Sequence, residues 1–272
     1  MTTTLTCFQG RAGDHNDLAM PGARSLADCL SRITDLPPVG IGEPEPALNR
    51  DWSTELQAAL PALKEMQNHM TAIYAAGGRS LAATSRCAVS LATLPVVAQH
   101  YPEACVVWFD AHADLNTPAS SASGYLGGLA LSGPAGLWQS GLGDGLALGS
   151  IILVGQRDLD PFEKQLIAEQ AITCIPFAAG YLERLREAIN QRPVYMHLDC
   201  DVLEPGIVPT DYNHPGGMGL GDLQQACAVL AESEVVGVEI AEFQNAWAGQ
   251  SEPVSPAELI RALRPVIDKL LE

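Results

Sequence analysis

The chain has 272 residues, enough for one large α/β domain whose core needs no disulfide staples. Its 32 acidic residues against 15 basic ones give a net charge of −17, which repels phosphate backbones, excludes nucleic acid as a partner and attracts cations. Seven cysteines, none in a close-spaced pair, and no leader-like or membrane-length apolar run lead to the expectation of reduced thiols in a cytoplasmic protein without a membrane association.

No repeat, low-complexity tract or linker divides the chain, so a single domain over 1–272 is expected. The first clear element is a helix over 53–76, with Leu56, Leu60, Leu63, Met66, Met70 and Ile73 at helical spacing and a stop at Gly77-Gly78. Apolar, β-branched runs over 104–109, 150–154, 194–198 and 235–240 read as strands, and 160–170 and 256–271 as covering helices. Runs that are apolar without alternation suit strands buried on both faces. The expected class is therefore α/β, three layers deep, with a mostly parallel central sheet and helices on both sides.

Three of these strands run directly into acid: Phe109 into Asp110, Leu198 into Asp199, and Val238 into Glu239 and Glu242. The carboxyl ends of parallel strands line the ligand crevice, so these carboxylates gather on one sheet edge. Gathered carboxylates repel one another unless cations share the site. In Asp110-Ala111-His112-Ala113-Asp114 three ligand-type side chains alternate, so an extended segment aims all of them at one place. The second cluster, Asp199-Cys200-Asp201, would by itself suit a solvated turn equally well; beside the first it reads as ligands. Oxygen donors with a single imidazole favour manganese or magnesium over zinc. Two divalent ions would balance the four charges of Asp110, Asp114, Asp199 and Asp201, and would make a bound water acidic enough to react near neutral pH.

These segments, with Asp199-Cys200-Asp201-Val202-Leu203-Glu204-Pro205 and Glu239-Ile240-Ala241-Glu242, resemble the three signatures of the ureohydrolases, the family of arginase and agmatinase. The order and spacing hold from Phe8 onward, and Gly10-Arg11-Ala12-Gly13-Asp14 and Gly155-Gln156-Arg157-Asp158-Leu159-Asp160 also look like family segments. The resemblance implies an arginase-like fold, two Mn2+ ions per chain and a homo-oligomer, trimeric or hexameric. It implies Asp110 and Asp199 as bridging ligands, Asp114 completing one metal site, and His112 with Asp201 completing the other. It further implies Glu242 against the guanidine-type group, Asn116, Ser123 and Asp160 at the amino-acid end, and Tyr125 in the adjoining substrate segment. Asp114 is then the candidate to carry the proton from water to the leaving amine.

Four positions depart from the family pattern. Cys87 stands where a metal-binding histidine is expected; it is taken as a ligand whose site holds manganese weakly, and restoring histidine should raise retention. Arg86 puts a cation where the family has an acid. Gly127 stands where arginases often carry a proton-shuttling histidine, and His214 is a candidate substitute or an idle loop residue. Glu204 replaces an aspartate and is expected to support rather than ligate. Losing a ligand and a shuttle impairs attack on a protonated guanidinium but less so on a weakly basic N-hydroxyguanidine. The cysteine variant resembles the branch of the family that serves antibiotic biosynthesis and takes Nω-hydroxy-L-arginine to L-ornithine and hydroxyurea. An arginase, another guanidino-acid amidinohydrolase, or a non-catalytic binding protein of the same fold are the alternatives.

Overall fold

Eight parallel strands form the centre of the molecule in the computed structural model, which describes residues 2–170 and 172–272. They are β1 (Thr3–Phe8), β2 (Val39–Ile41), β3 (Arg79–Thr84), β4 (Cys105–Phe109), β5 (Ile151–Val154), β6 (Thr173–Ile175), β7 (Val194–Asp199) and β8 (Val235–Ala241). Their order across the sheet is β2-β1-β3-β8-β7-β4-β5-β6, and every neighbouring pair is parallel. The expected mostly parallel sheet is thus wholly parallel among the described residues.

Helices α1 (Ala19–Thr34), α2 (Trp52–Ala75), α3 (Ser90–His100), α4 (Pro161–Glu169), α5 (Tyr181–Ile189), α6 (Leu220–Leu230), α7 (Ala257–Ala262) and α8 (Arg264–Leu271) cover both faces. Along β4, Cys105, Val107 and Phe109 join one core with Leu26, Leu185, Leu223 and Ile267, whereas Val106 and Trp108 join the other with Met70 and Leu94. Burial on both faces is why these strands show no polar alternation.

Helix α2 starts on Asp51, whose side chain accepts from the Ser53 and Thr54 backbone amides at 3.1 and 3.3 Å. It ends as expected at Gly77, with φ +71°, whose N–H reaches Tyr74 O while Gly78 N–H reaches Ile73 O at 2.9 Å. The single helix expected over 256–271 is instead two, broken at Leu263. Pro265 lacks an N–H and its ring would clash with the carbonyl one turn earlier, so the first helix cannot continue through it. No helix among the described residues is long and apolar enough to cross a membrane.

The chain passes from β3 to β4 over a gap of two strands that β8 and β7 later fill. The ends of these four central strands therefore face a common crevice, and the chemistry lies there.

Candidate metal centre and active site

Each central strand delivers a ligand-type side chain. Asp110 follows β4, Asp199 closes β7, Asp201 lies in the 3₁₀ turn Cys200–Val202, Cys87 opens the 3₁₀ turn after β3, and Glu242 follows β8. Asp114 and Glu242 hold left-handed backbone with φ +53° and +64°. Neither has the freedom of glycine, and such strain concentrates where geometry serves a site.

Two donor sets share Asp110. Cys87, Asp110 and Asp114 bring one ligand atom each within 4.8 Å of one another, and Asp110, His112 and Asp201 do the same. His112 Nδ1 lies 3.2 Å from Asp110 Oδ1 and 3.1 Å from Asp201 Oδ2. Asp199 joins through Cys87, whose thiol donates to its Oδ2 at 3.1 Å. Backbone and indole donors fix the carboxylates. Trp108 Nε1 donates to Asp110 Oδ2 at 2.8 Å, Asp201 N to Asp199 Oδ1 at 2.7 Å, and Ala111 N to Asp201 Oδ1 at 2.9 Å.

The electrostatics are those of a site built around positive charge. Burial and the charge of Asp201 push Asp110 up to about 6. Burial, then Asp110, drives Asp114 well above the carboxylate range, and burial, then Asp201 and Asp110, does so to Asp199. Burial works against a charged His112, but its bonds to Asp110 and Asp201 raise it strongly; burial works against an ionised Asp201 too, but His112 holds it low. Carboxylates that resist ionisation together, in two donor sets with a common member, fit a pair of divalent cations.

A cavity of about 200 Å³ opens beside these groups. Cys87, His112, Asp114 and Asp199 line it together with Asn116, Ser123, Tyr125, Asp160 and Glu242. The residues expected at the amino-acid end do converge: Asn116 Nδ2 donates to Asp160 Oδ2 at 2.8 Å. Asp158 and Glu163 line the same cavity and were not expected there.

His214 is not among the lining residues. Its Nε2 lies 3.3 Å from His112 Nε2 and 3.4 Å from Asp158 Oδ2, so it meets the far edge of the His112 ring and is suited to orient it. Arg157 draws the loop there, donating to the His214 carbonyl from Nε at 3.0 Å and from Nη2 at 2.8 Å. Glu204 also stands away from the donor sets, accepting the Gly216 and Gly217 amides at 2.8 Å each.

Glu239 corrects the expectation that every strand-end acid faces the crevice. It lies within β8, and its carboxylate is wholly buried among Ser90, Thr93, Tyr195 and His197. His197 is the residue that sequence reasoning missed. Its ring stacks on Trp108 at 3.5 Å and 5°, with Nδ1 3.0 Å from Glu239 and Nε2 3.2 Å from Cys87 Sγ. Burial, then Asp199, drives the Cys87 thiol upward.

Gly127 is explained by its neighbour. A Cβ there would stand 2.3 Å from Tyr125 Cε1, so the tyrosine ring fills the space that a side chain at 127 would need. That ring packs on His15 at 4.4 Å, with its hydroxyl 3.5 Å from Glu242 Oε1. Gly127→His is therefore expected to cost about 1–3 kcal/mol by overpacking. Urea denaturation would show this, and adding Tyr125→Ala should recover part of the loss. An unchanged midpoint in the single variant would mean that the ring moves freely.

Residues 14–260 match the Arginase family. The Nω-hydroxy-L-arginine amidinohydrolase of Streptomyces lavendulae is 35% identical over 264 residues, covering 97% of each chain. An arginase of Schizosaccharomyces pombe is 30% identical over 74% of this chain and 65% of its own. The structure of arginase from Bacillus caldovelox superposes with a TM-score of 0.83 over 98% of this chain and 97% of that one, at 23% identity, and shares the fold. With a family match spanning nearly the whole chain and a full-length relative at this identity, the protein belongs to the arginase family and is a hydrolase of guanidino groups.

Proposed function

We propose that the protein is a binuclear manganese amidinohydrolase acting on Nω-hydroxy-L-arginine, releasing L-ornithine and hydroxyurea. The observation that carries the metal reading is the pair of donor sets sharing Asp110. The substrate reading is supported by the full-length similarity to an enzyme named for that substrate.

Cys87, Asp110, Asp114 and Asp199 would hold one cation, and Asp110, His112, Asp199 and Asp201 the other. An oxygen-rich set with one imidazole suits manganese, and the lone sulfur makes the first site the weaker. Bound cations supply the Lewis acidity that readies a water for attack and offset the charge of the carboxylates. Asn116, Ser123 and Asp160 hold the amino-acid end, so an arginine-like ligand is favoured over agmatine, which lacks the carboxylate. Glu242 orients the guanidine-type group by accepting its N–H donors. The Asp114 carboxylate takes the proton from the attacking water and returns it to the departing δ-amine. A cytoplasmic setting fits seven cysteines that are all free.

The test is to load the protein with manganese, assay metal content, and follow ornithine release from arginine and Nω-hydroxyarginine beside urea-type release from agmatine. Strong preference for the hydroxylated amino acid is expected. Equal turnover of arginine would remove the substrate reading and leave the amidinohydrolase; a protein that retains no divalent ion would remove the metal reading as well.

A further inference from the structure

Arg86 is wholly buried, and three carboxylates hold its guanidinium. Nε donates to Asp14 Oδ1 at 2.9 Å, and Nη1 donates to Asp211 Oδ2 at 2.7 Å and Glu242 Oε2 at 2.8 Å. The outer two acids are themselves anchored. Asp14 Oδ2 accepts Ala12 N at 2.9 Å, and Asp211 Oδ1 accepts Asn16 Nδ2 at 2.7 Å, with His15 Nδ1 at 3.5 Å from its other oxygen. Of the three acids, only Glu242 lines the cavity.

Glu242 thus meets a ligand with both oxygens engaged: Oε2 on a permanent cation and Oε1 on the Cys87 backbone N–H at 2.9 Å. A guanidinium side chain never loses its charge near neutral pH. Asp14 and Asp211 balance Arg86 from outside the cavity. The one of the three acids that faces a ligand, Glu242, already shares its charge with Arg86. A protonated arginine ligand gripping it would therefore gain less and would bring a second guanidinium toward the first, where burial weakens screening. A guanidine-type group that is neutral offers the same N–H donors without that repulsion. A hydroxyl on the guanidine withdraws electrons and favours the neutral form. Like charges placed together are a recognised means of rejecting the wrong ligand.

We propose that Arg86 is a specificity-determining positioning residue, one that holds Glu242 and biases the guanidine subsite against cationic ligands and toward neutral ones. This rests on reading the cavity as a guanidine site with Glu242 as its carboxylate. It differs from that reading in what it asserts: the selection is made by charge, by a side chain that does not touch the ligand.

Calorimetric binding of L-arginine and of L-citrulline, its neutral ureido analogue, isolates charge from shape and needs no turnover. The wild-type protein should bind citrulline at least as tightly as arginine. The double substitution Arg86→Gln with Asp14→Asn removes one charge of each sign, which protects the fold; its integrity is checked by thermal melting. It should shift the affinity ratio toward arginine by about ten-fold or more. Arg86→Lys, which keeps the charge, should retain the wild-type ratio. A folded double variant with an unchanged ratio overturns the proposal, as does wild-type protein that prefers arginine ten-fold. If neither ligand binds the wild type, the guanidine-site reading falls and takes this one with it. Equal turnover of arginine and hydroxyarginine would remove the substrate reading and count against selection by charge as well.

Discussion

Replacing Asp110 by asparagine is expected to change stability in opposite directions with and without divalent cation. In the metal-free protein the Asp110 carboxyl is wholly buried and raised from its ordinary 3.8 to about 6. The folded state then holds a proton that the unfolded chain releases, so stability falls as pH rises from about 4 to about 6 and the penalty is complete above that. Its size is on the order of 3 kcal/mol. Asparagine cannot ionise and still accepts from the Trp108 indole. Its amide nitrogen then faces the His112 backbone N–H that Oδ1 accepts, a cost of about 1–3 kcal/mol that offsets part of the gain. Metal-free Asp110→Asn should still resist urea somewhat better than metal-free wild type at pH 7. That advantage should vanish below pH 4. With manganese the ranking reverses. Wild type gains stability by binding, and the variant, lacking one of the two carboxylates common to both cation sites, does not. Its activity should fall by more than the about 10- to 100-fold that loss of an outer partner costs a metal site. Urea curves at pH 4 and 7, with chelator and with manganese, would settle it. A metal-free variant weaker than wild type at pH 7 would show that Asp110 is not the strained carboxylate inferred here.

Much of this site can be read along the chain because strand ends are visible there. Asp110 and Asp199 each follow a continuous apolar run, and the C-terminal edge of a parallel sheet collects whatever follows such runs. The same logic misled at Glu239, because residues within a strand alternate between faces and only Glu242 lies beyond its end. Edge strands β2 and β6 are three residues each, too short for any periodicity. Strands β1 and β3 carry threonine, serine and arginine, and do not stand out as apolar. Pro265 is a legible signal for the break in the last helix, because a proline cannot continue a helix that precedes it. Arg86 could be seen as a departure, but its partners Asp14, Asp211 and Glu242 lie 72, 125 and 156 residues away, and no local pattern joins them. His197 reads as an ordinary strand residue until the sheet sets it beneath Cys87.

That placement bears on the simplest way to restore the family's ligand. Cys87→His alone is expected to fail. Cys87 is 2% exposed, with Sγ 3.2 Å from His197 Nε2 and 3.1 Å from Asp199 Oδ2, so an imidazole at 87 would enter space that the His197 ring already fills. That ring cannot retreat: it is wholly buried, stacked on Trp108 and tied to Glu239. Overpacking should cost the single variant about 1–3 kcal/mol. Cys87→His with His197→Ser moves the imidazole from beneath the site into it and returns the volume. Glu239 would keep its Thr93 and Tyr195 hydroxyl donors at 2.8 and 2.9 Å. The double variant replaces a sulfur ligand, which must lose a proton against surrounding carboxylates, by a neutral nitrogen better matched to manganese. Manganese retained after dialysis should therefore rise in the double variant above wild type, while the single variant melts lower and retains no more. Cys87 is a metal ligand only if this exchange alters retention; equal manganese in wild type and a well-folded double variant would reduce it to a packing residue beneath the cavity.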